Sequence, residues 1–381
     1  MKVQLLKAAA LAAMTLALGA AQADSATSTV GYLGADQNPL TGNNSAAANW
    51  RVTQAMTFNG VNFDGNVRIR FDDDGNLGNG SYICSGTLLN GGQYVLTAAH
   101  CADDYAAAGF VMAIDHGVYG NVAAGTQNIS GSNVWVHPGW TGGLSQGNDI
   151  AVIKLSSAIV GVTGFKLSTT NDVGKTFLIM GHGTTQVGNV NAGTNWNDYG
   201  WAHYGYNEID ATGKQFLDAA QAMGLPSLGT WSNADGEEYV SDYDGLTDNS
   251  GGITDPAIRH NTLGRITGLS SSQGLGATEG LIAGGDSGGG DFVWNGSEWL
   301  LTGVHSWGWQ FCGGRLTTPN SCDFGGSNGS SWGDLSGSTA VFSHAAWIQG
   351  ITGAVPEPGS VALMLAGLMA VGGIARRRKA A

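Results

Sequence analysis

Glycine constrains this chain more than any other residue. Its 63 copies follow no G-x-y period, which excludes a collagen-like rod. With Asn and Asp they cut the sequence into short runs rich in Val, Ile, Tyr, Phe and Trp, over 67–71, 82–89, 94–98, 134–136, 150–155, 177–180, 292–294 and 299–306. Short runs separated by turn residues, with no alternating long helices, predict an all-β sandwich or barrel rather than βαβ units. Hydrophobic residues make up 42% of the chain, enough for a packed core rather than disorder. Two helices are expected. One spans 214–223, with Phe216, Ala219, Ala220 and Met223 on one face, and the other spans 343–350 behind an N-cap serine. The polar, Gly/Asn/Asp-rich stretch 187–278 reads as an insertion of surface loops within a single domain.

Both ends read as addresses. Lys2 and Lys7 precede an apolar run over 8–20, and Ala21-Gln22-Ala23 places small residues at a cleavage site. That order is a secretory signal over 1–23, too short to span a membrane comfortably. Four cysteines in an exported chain favour disulfides. Three pairings are open, and the local one, Cys84–Cys101 and Cys312–Cys322, brackets one loop each. No CxxC supports zinc, and no metal site is expected from the cysteines. The chain carries a net charge of −13. Without the two signal lysines and the four basic residues of the tail, 10 basic residues face 28 or 29 acids, a net of −18 to −19. Such a surface disfavours nucleic acid and anionic membranes as partners.

Three segments supply the parts of a hydrolytic site in order. Thr97-Ala98-Ala99-His100-Cys101 offers a base, Asn148-Asp149-Ile150-Ala151-Val152 a carboxylate to orient it, and Gly285-Asp286-Ser287-Gly288-Gly289 a nucleophile in a glycine turn. The glycines let the backbone turn sharply, so the N–H groups of Gly285 and Ser287 can converge on an oxyanion. His116, His137, His182, His203, His260, His305 and His344 lack such a context and read as structural.

Together TAAHC, NDIAVIKL and GDSGG resemble the chymotrypsin/trypsin-like serine peptidases. The resemblance covers most of 59–353. It implies two six-stranded antiparallel β-barrels with the catalytic site between them, a C-terminal helix, and the triad His100, Asp149 and Ser287. Cys84 corresponds to the half-cystine that bridges to the cysteine after the histidine. Ser306-Trp307-Gly308 resembles the strand that pairs with an extended peptide substrate. The pocket floor falls at Leu281, with Ile282 beside it, where trypsin-like enzymes keep an aspartate. Glu279 and Asp323 are the nearest alternative carboxylates. Two departures stand out: Gly290 follows the motif where proline is usual, and Ala283 replaces a frequent cysteine. No Ile-Val-Gly-Gly marks an activation site, although Arg51-Val52 could be cut, and Asp286 could be held by an internal group instead of a freed N-terminus.

The tail, 354–381, opens with Val355-Pro356-Glu357-Pro358, continues as an apolar run over 361–374 and ends in Arg376-Arg377-Arg378-Lys379. It resembles a PEP-CTERM sorting signal, which implies an exosortase-like processing peptidase as partner, transient membrane insertion of the tail, and delivery to the envelope, surface or extracellular matrix of a Gram-negative bacterium. The expected organisation is a signal over 1–23, an extension or propeptide over 24–58, a peptidase domain over 59–353 and a sorting segment over 354–381. The expected activity is that of an exported serine endopeptidase acting on polypeptides without a cofactor, and the rival is a catalytically silent relative that binds peptides or envelope components. Asp242, Asp244 and Asp248 could offer hard oxygens to Ca²⁺. Their spacing is not that of an EF-hand, and a solvated acidic loop is the simpler reading.

Overall fold

The computed structural model describes residues 31–32, 50–78, 81–185, 199–222, 237–244, 263, 268–269, 274–275, 278–309 and 334–353. The expected signal, the 354–381 tail, Asp248, His260, Cys312, Cys322 and Asp323 lie outside these residues.

A two-residue strand, β1 (Gly31–Tyr32), comes first. It is followed by β2 (Asn66–Asp72), β3 (Tyr82–Leu88), β4 (Tyr94–Thr97), β5 (Val111–His116), β6 (Gly125–Ile129), β7 (Val134–Val136) and β8 (Ala151–Lys154). These seven form an antiparallel sheet in the order β6-β5-β2-β3-β4-β8-β7. The strand β2 shows how its sequence makes it a strand. Val67 and Ile69 are fully buried on one face. Arg68 and Arg70 alternate onto the other, where both reach Asp115 on β5 at 2.7–2.9 Å.

The second sheet holds β9 (Lys166–Leu167), β10 (Thr176–Gly181), β11 (His203–Glu208), β12 (Ala211–Thr212), β13 (Glu238–Asp242), β15 (Gly290–Trp294), β16 (Trp299–Trp309) and β17 (Leu335–Ala340). Its order is β11-β10-β15-β16-β17-β13-β12, with β9 parallel to β16. The short β14 (Gly280–Leu281) pairs with β1. Two curled, mostly antiparallel sheets are therefore present, as the resemblance implied. Among the described residues they hold seven and eight strands, two- and three-residue pieces such as β7, β9 and β12 included. Aromatic side chains join the sheets. Phe63, just before β2, packs edge-on against Phe292 of β15 with ring centres 4.9 Å apart and lies 4.7 Å from Phe165. All three rings are buried, each removing apolar area from water worth about 25 cal/mol per Å².

The stretch 187–278 departs from its reading as surface loops. It contributes β11, β12, β13 and the helix α1 (Gly213–Ala222) to the second sheet and its cover. The alternation in β11 is real, but its inward residues are His203, Gly205 and Asn207, which hide the pattern. The helix α1 begins with a reciprocal cap: Thr212 Oγ1 accepts from Gln215 N–H, and Gln215 Oε1 accepts from Thr212 N–H. Asp242 and Asp244 do not form a solvated loop but are almost fully buried. Asp242 Oδ2 accepts from Leu263 N–H at 2.7 Å.

Residues 50–58 lie against the second sheet instead of merely leading to it, with Val52 N–H donating to Ala202 and Tyr204 N–H to Trp50. The last helix, α2 (Val341–Thr352), starts two residues before Ser343, whose hydroxyl bonds back to the Ala340 carbonyl instead of capping the helix. Among the described residues no helix is long and apolar enough to cross a membrane.

Candidate active site

The buried strand β4 ends at Thr97, and the chain turns at once through a short 3-10 turn, Ala99–Cys101, that carries His100. Asp149 precedes β8, the neighbour of β4, so strand pairing brings the two residues together. His100 Nδ1 and Asp149 Oδ2 are 2.7 Å apart, and the His100 backbone N–H donates to Oδ1 at 2.9 Å. A carboxylate accepts at Nδ1, so Nδ1 carries the proton and Nε2 is left as the basic atom. Asp149 is fully buried, and its Oδ2 also accepts from Ser306 Oγ at 2.6 Å. Burial disfavours a charge on His100. The Asp149 charge and hydrogen bond, helped by Asp103, outweigh that and raise its pKa above the ordinary value.

Ser287 sits in a turn between β14 and β15. Gly285 and Gly288 there have φ of +99° and +80°, a backbone region that glycine enters without strain. Within the turn Asp286 N–H donates to Ala283, Gly288 N–H to His305 and Gly289 N–H to Asp286. The N–H groups of Gly285 and Ser287 donate to nothing among the described residues. They are the pair that the sequence singles out for an oxyanion.

The turn is fixed against the His100 side. Ser85 N–H donates to the Ser287 carbonyl at 2.7 Å, and Ser85 Oγ to the Gly285 carbonyl at 2.9 Å. The Cys84–Cys101 disulfide is formed, and Cys101 Sγ packs 3.6 Å from the same Ser287 oxygen. The sulfurs of Cys84 and Cys101 gather with a His100 nitrogen within 4.8 Å, but the disulfide leaves no thiolate there to bind a metal. Among the described residues neither Ser287 Oγ nor His100 Nε2 has a hydrogen-bond partner. Such contacts commonly tighten only when substrate binds.

Asp286 is held from inside: its Oδ1 accepts from Gly183 N–H at 2.7 Å and its Oδ2 from Ala283 N–H at 2.9 Å. Gly290 has a steric reason for replacing proline. A Cβ there would stand 2.6 Å from both the Phe292 ring and Thr87 Oγ1.

Ser306, Trp307 and Gly308 lie on β16 beyond the last β15 pairing, Gly290↔Val304. On their other side β17 pairs Trp307 with Gly337 and Gly308 with Ser336. Trp307 is buried, and its indole N–H donates to Glu238 Oε1 at 2.8 Å. Leu281 is fully buried in β14. Ile282 is buried in a core cluster with Phe177, Ile179 and Val293. Glu279 is fully buried, with its oxygens taken by the N–H groups of Asp244 at 2.7 Å and Leu275 at 2.5 Å. Burial pushes its pKa well up, with nearby Asp242 and Glu208 adding to the rise. It serves as an internal acceptor for two backbone amides. The bond from Ser306 to Asp149, the Glu238 contact and the His305–Asp291 pair escaped sequence reasoning. Each joins distant residues with no local pattern.

The trypsin family model matches residues 66–199, a span that takes in His100 and Asp149 and ends before Ser287. The PEP-CTERM protein-sorting motif matches residues 354–379. No curated protein matches the chain.

Proposed function

We propose that this chain, matched by a trypsin family model over 66–199 and by a PEP-CTERM sorting motif over 354–379, is an exported serine endopeptidase using Ser287, His100 and Asp149. The observation that carries this reading is the buried Asp149 holding His100 through two hydrogen bonds, beside a turn whose Gly285 and Ser287 amides donate to nothing among the described residues. Ser287 Oγ attacks the peptide carbonyl while His100 Nε2 takes its proton. The two amides stabilise the oxyanion, and Asp149 stabilises the imidazolium. His100 then protonates the leaving amine. Water, deprotonated by the same nitrogen, hydrolyses the acyl-enzyme. An extended peptide would pair with β16 at 306–308, beyond its last pairing with β15.

We place the peptidase domain over 59–353, with the packed segment 50–58 attached, and the sorting segment over 354–381. The motif implies export and sorting to the cell envelope of a Gram-negative bacterium. An exosortase-like enzyme would process the tail. Covalent labelling with a fluorophosphonate tests the reading. Labelling that maps to Ser287 and disappears in Ser287→Ala supports it. A folded protein that never labels is the silent binding relative.

A further inference from the structure

His305 is completely buried on β16, and both of its ring nitrogens face acceptors. Nε2 lies 2.7 Å from Asp291 Oδ1, and Nδ1 lies 3.1 Å from the Asp286 backbone carbonyl. A carbonyl oxygen can only accept, and an ionised carboxylate can only accept. The arrangement satisfies both contacts when each nitrogen carries a proton. The His305 backbone grips the same turn, its carbonyl accepting from Gly288 N–H at 2.8 Å and its N–H donating to Gly289 at 2.9 Å. Residues 286, 288 and 289 are thus all held by one histidine, and Ser287 lies among them.

We propose that His305 is a positioning residue, an imidazolium clamped between Asp291 and the Asp286 carbonyl that fixes the nucleophile turn from behind. The inference rests on the peptidase reading above. It explains how a turn with Ala283 in place of a cysteine keeps its shape, since an internal ion pair does the fastening. The charged groups facing His305 are Asp291 on β15 and Asp286 in the turn, and its β17 partner is the uncharged Ser338. Tyr239 on β13 lies near Asp291. Burial opposes the imidazolium, but the two aspartates outweigh it and raise the pKa of His305. The clamp is released as pH rises through the raised pKa of His305.

Two measurements test this on the whole protein. The first is the pH profile of kcat/KM for the wild type and Asp291→Asn. The variant keeps an acceptor but removes the charge. Its alkaline limb should move down by about one pH unit or more, while the acid limb set by His100 stays in place. His305→Phe should lower kcat by about tenfold or more with little change in KM, because oxyanion donors act on the transition state. An alkaline limb that does not move in an Asp291→Asn protein that melts like the wild type overturns the proposal. The second measurement needs neither activity nor a variant that folds: ¹⁵N NMR of the histidine rings together with hydrogen exchange at Gly288 and Gly289. A doubly protonated His305 ring at pH 7, with amide protection lost as it deprotonates, supports the clamp. A neutral ring at pH 7 refutes it. If fluorophosphonate fails to label Ser287, the peptidase reading falls, while the ring titration still decides the clamp.

Discussion

Ser306 Oγ donates to Asp149 Oδ2 at 2.6 Å, on the same oxygen that faces His100 Nδ1. The buried carboxylate therefore has three donors: the His100 amide, the His100 ring and a hydroxyl from the other sheet. Charge-assisted bonds of this kind are the strong ones in a protein interior. They hold the imidazole in the tautomer that leaves Nε2 basic. Removing the hydroxyl in Ser306→Ala should leave the carboxylate oxygen shared with His100 to the imidazole ring alone and strengthen that bond. The acid limb of kcat/KM should then shift upward, with a loss of about tenfold near neutrality. An unchanged profile would mean that the hydroxyl is incidental.

Asp149 and Asp103 hold the His100 pKa above its usual value of about 6.5. The base must be neutral to act, so activity should rise with pH through a midpoint above that value. Asp149→Asn should lower the midpoint and cost about 10⁴-fold in kcat. The linkage sign is that of a raised histidine. The contribution of the pair to stability is full below about pH 6.5 and fades as pH rises through the folded pKa. Denaturation of the wild type and Asp149→Asn across pH 5–9 checks this, and a stability gap that widens with pH contradicts it.

Glu238 is buried beside Trp307. Burial, opposed by the indole hydrogen bond and reinforced by Asp149 and Glu237, raises its pKa to about 8. An acid that holds its proton more tightly when folded destabilises the fold as pH climbs from about 4.3 toward that value, because only the unfolded chain ionises freely. Glu238→Gln keeps the acceptor for Trp307 and removes the ionisation. Its melting temperature should exceed that of the wild type by a margin that grows between pH 5 and pH 8, at roughly 2–4 °C per kcal/mol recovered. A constant margin would show that Glu238 ionises in the fold as it does in water.

The Cys84–Cys101 disulfide closes a loop across 17 positions and packs against the Ser287 carbonyl. The paired Cys84→Ser and Cys101→Ser substitutions should cost about 3 kcal/mol and lower activity beyond what instability explains, because the His100 turn would drift. Peptide mapping without reduction should also recover Cys312 joined to Cys322. A crossed pairing would end the two-loop scheme.

Specificity should be apolar just before the scissile bond. The resemblance puts Leu281 where trypsin-like enzymes keep an aspartate, and Glu279 is buried and already bonded to backbone amides. A guanidinium entering such a pocket would lose water and gain no partner. A peptide library cleaved mainly after Arg or Lys would overturn this expectation and make Asp323 the first residue to mutate.

The sequence by itself determined the parts that are contiguous. TAAHC, the aspartate ahead of its strand and the GDSGG turn are legible because a base, a carboxylate and a glycine turn each need particular neighbours along the chain. The bridge Cys84–Cys101, chosen among three open pairings because it brackets one loop, is formed, and the runs rich in Val, Ile, Tyr, Phe and Trp mark β2, β3, β4, β7 and β8 but not β5 and β6. Tertiary structure decided what lies far apart in sequence. The contacts of Ser306 with Asp149, Trp307 with Glu238 and His305 with Asp291 are separated by 157, 69 and 14 positions. None of them leaves a local trace, because a buried polar residue is recognisable only once its partner is known. The strand β11 stayed hidden for a related reason: its inward face is His203, Gly205 and Asn207, and only the closed sheet makes those positions interior. Ile282 is a further case, since the packing of its side chain with Phe177, Ile179 and Val293 is set by the folded sheet and not by its neighbours along the chain.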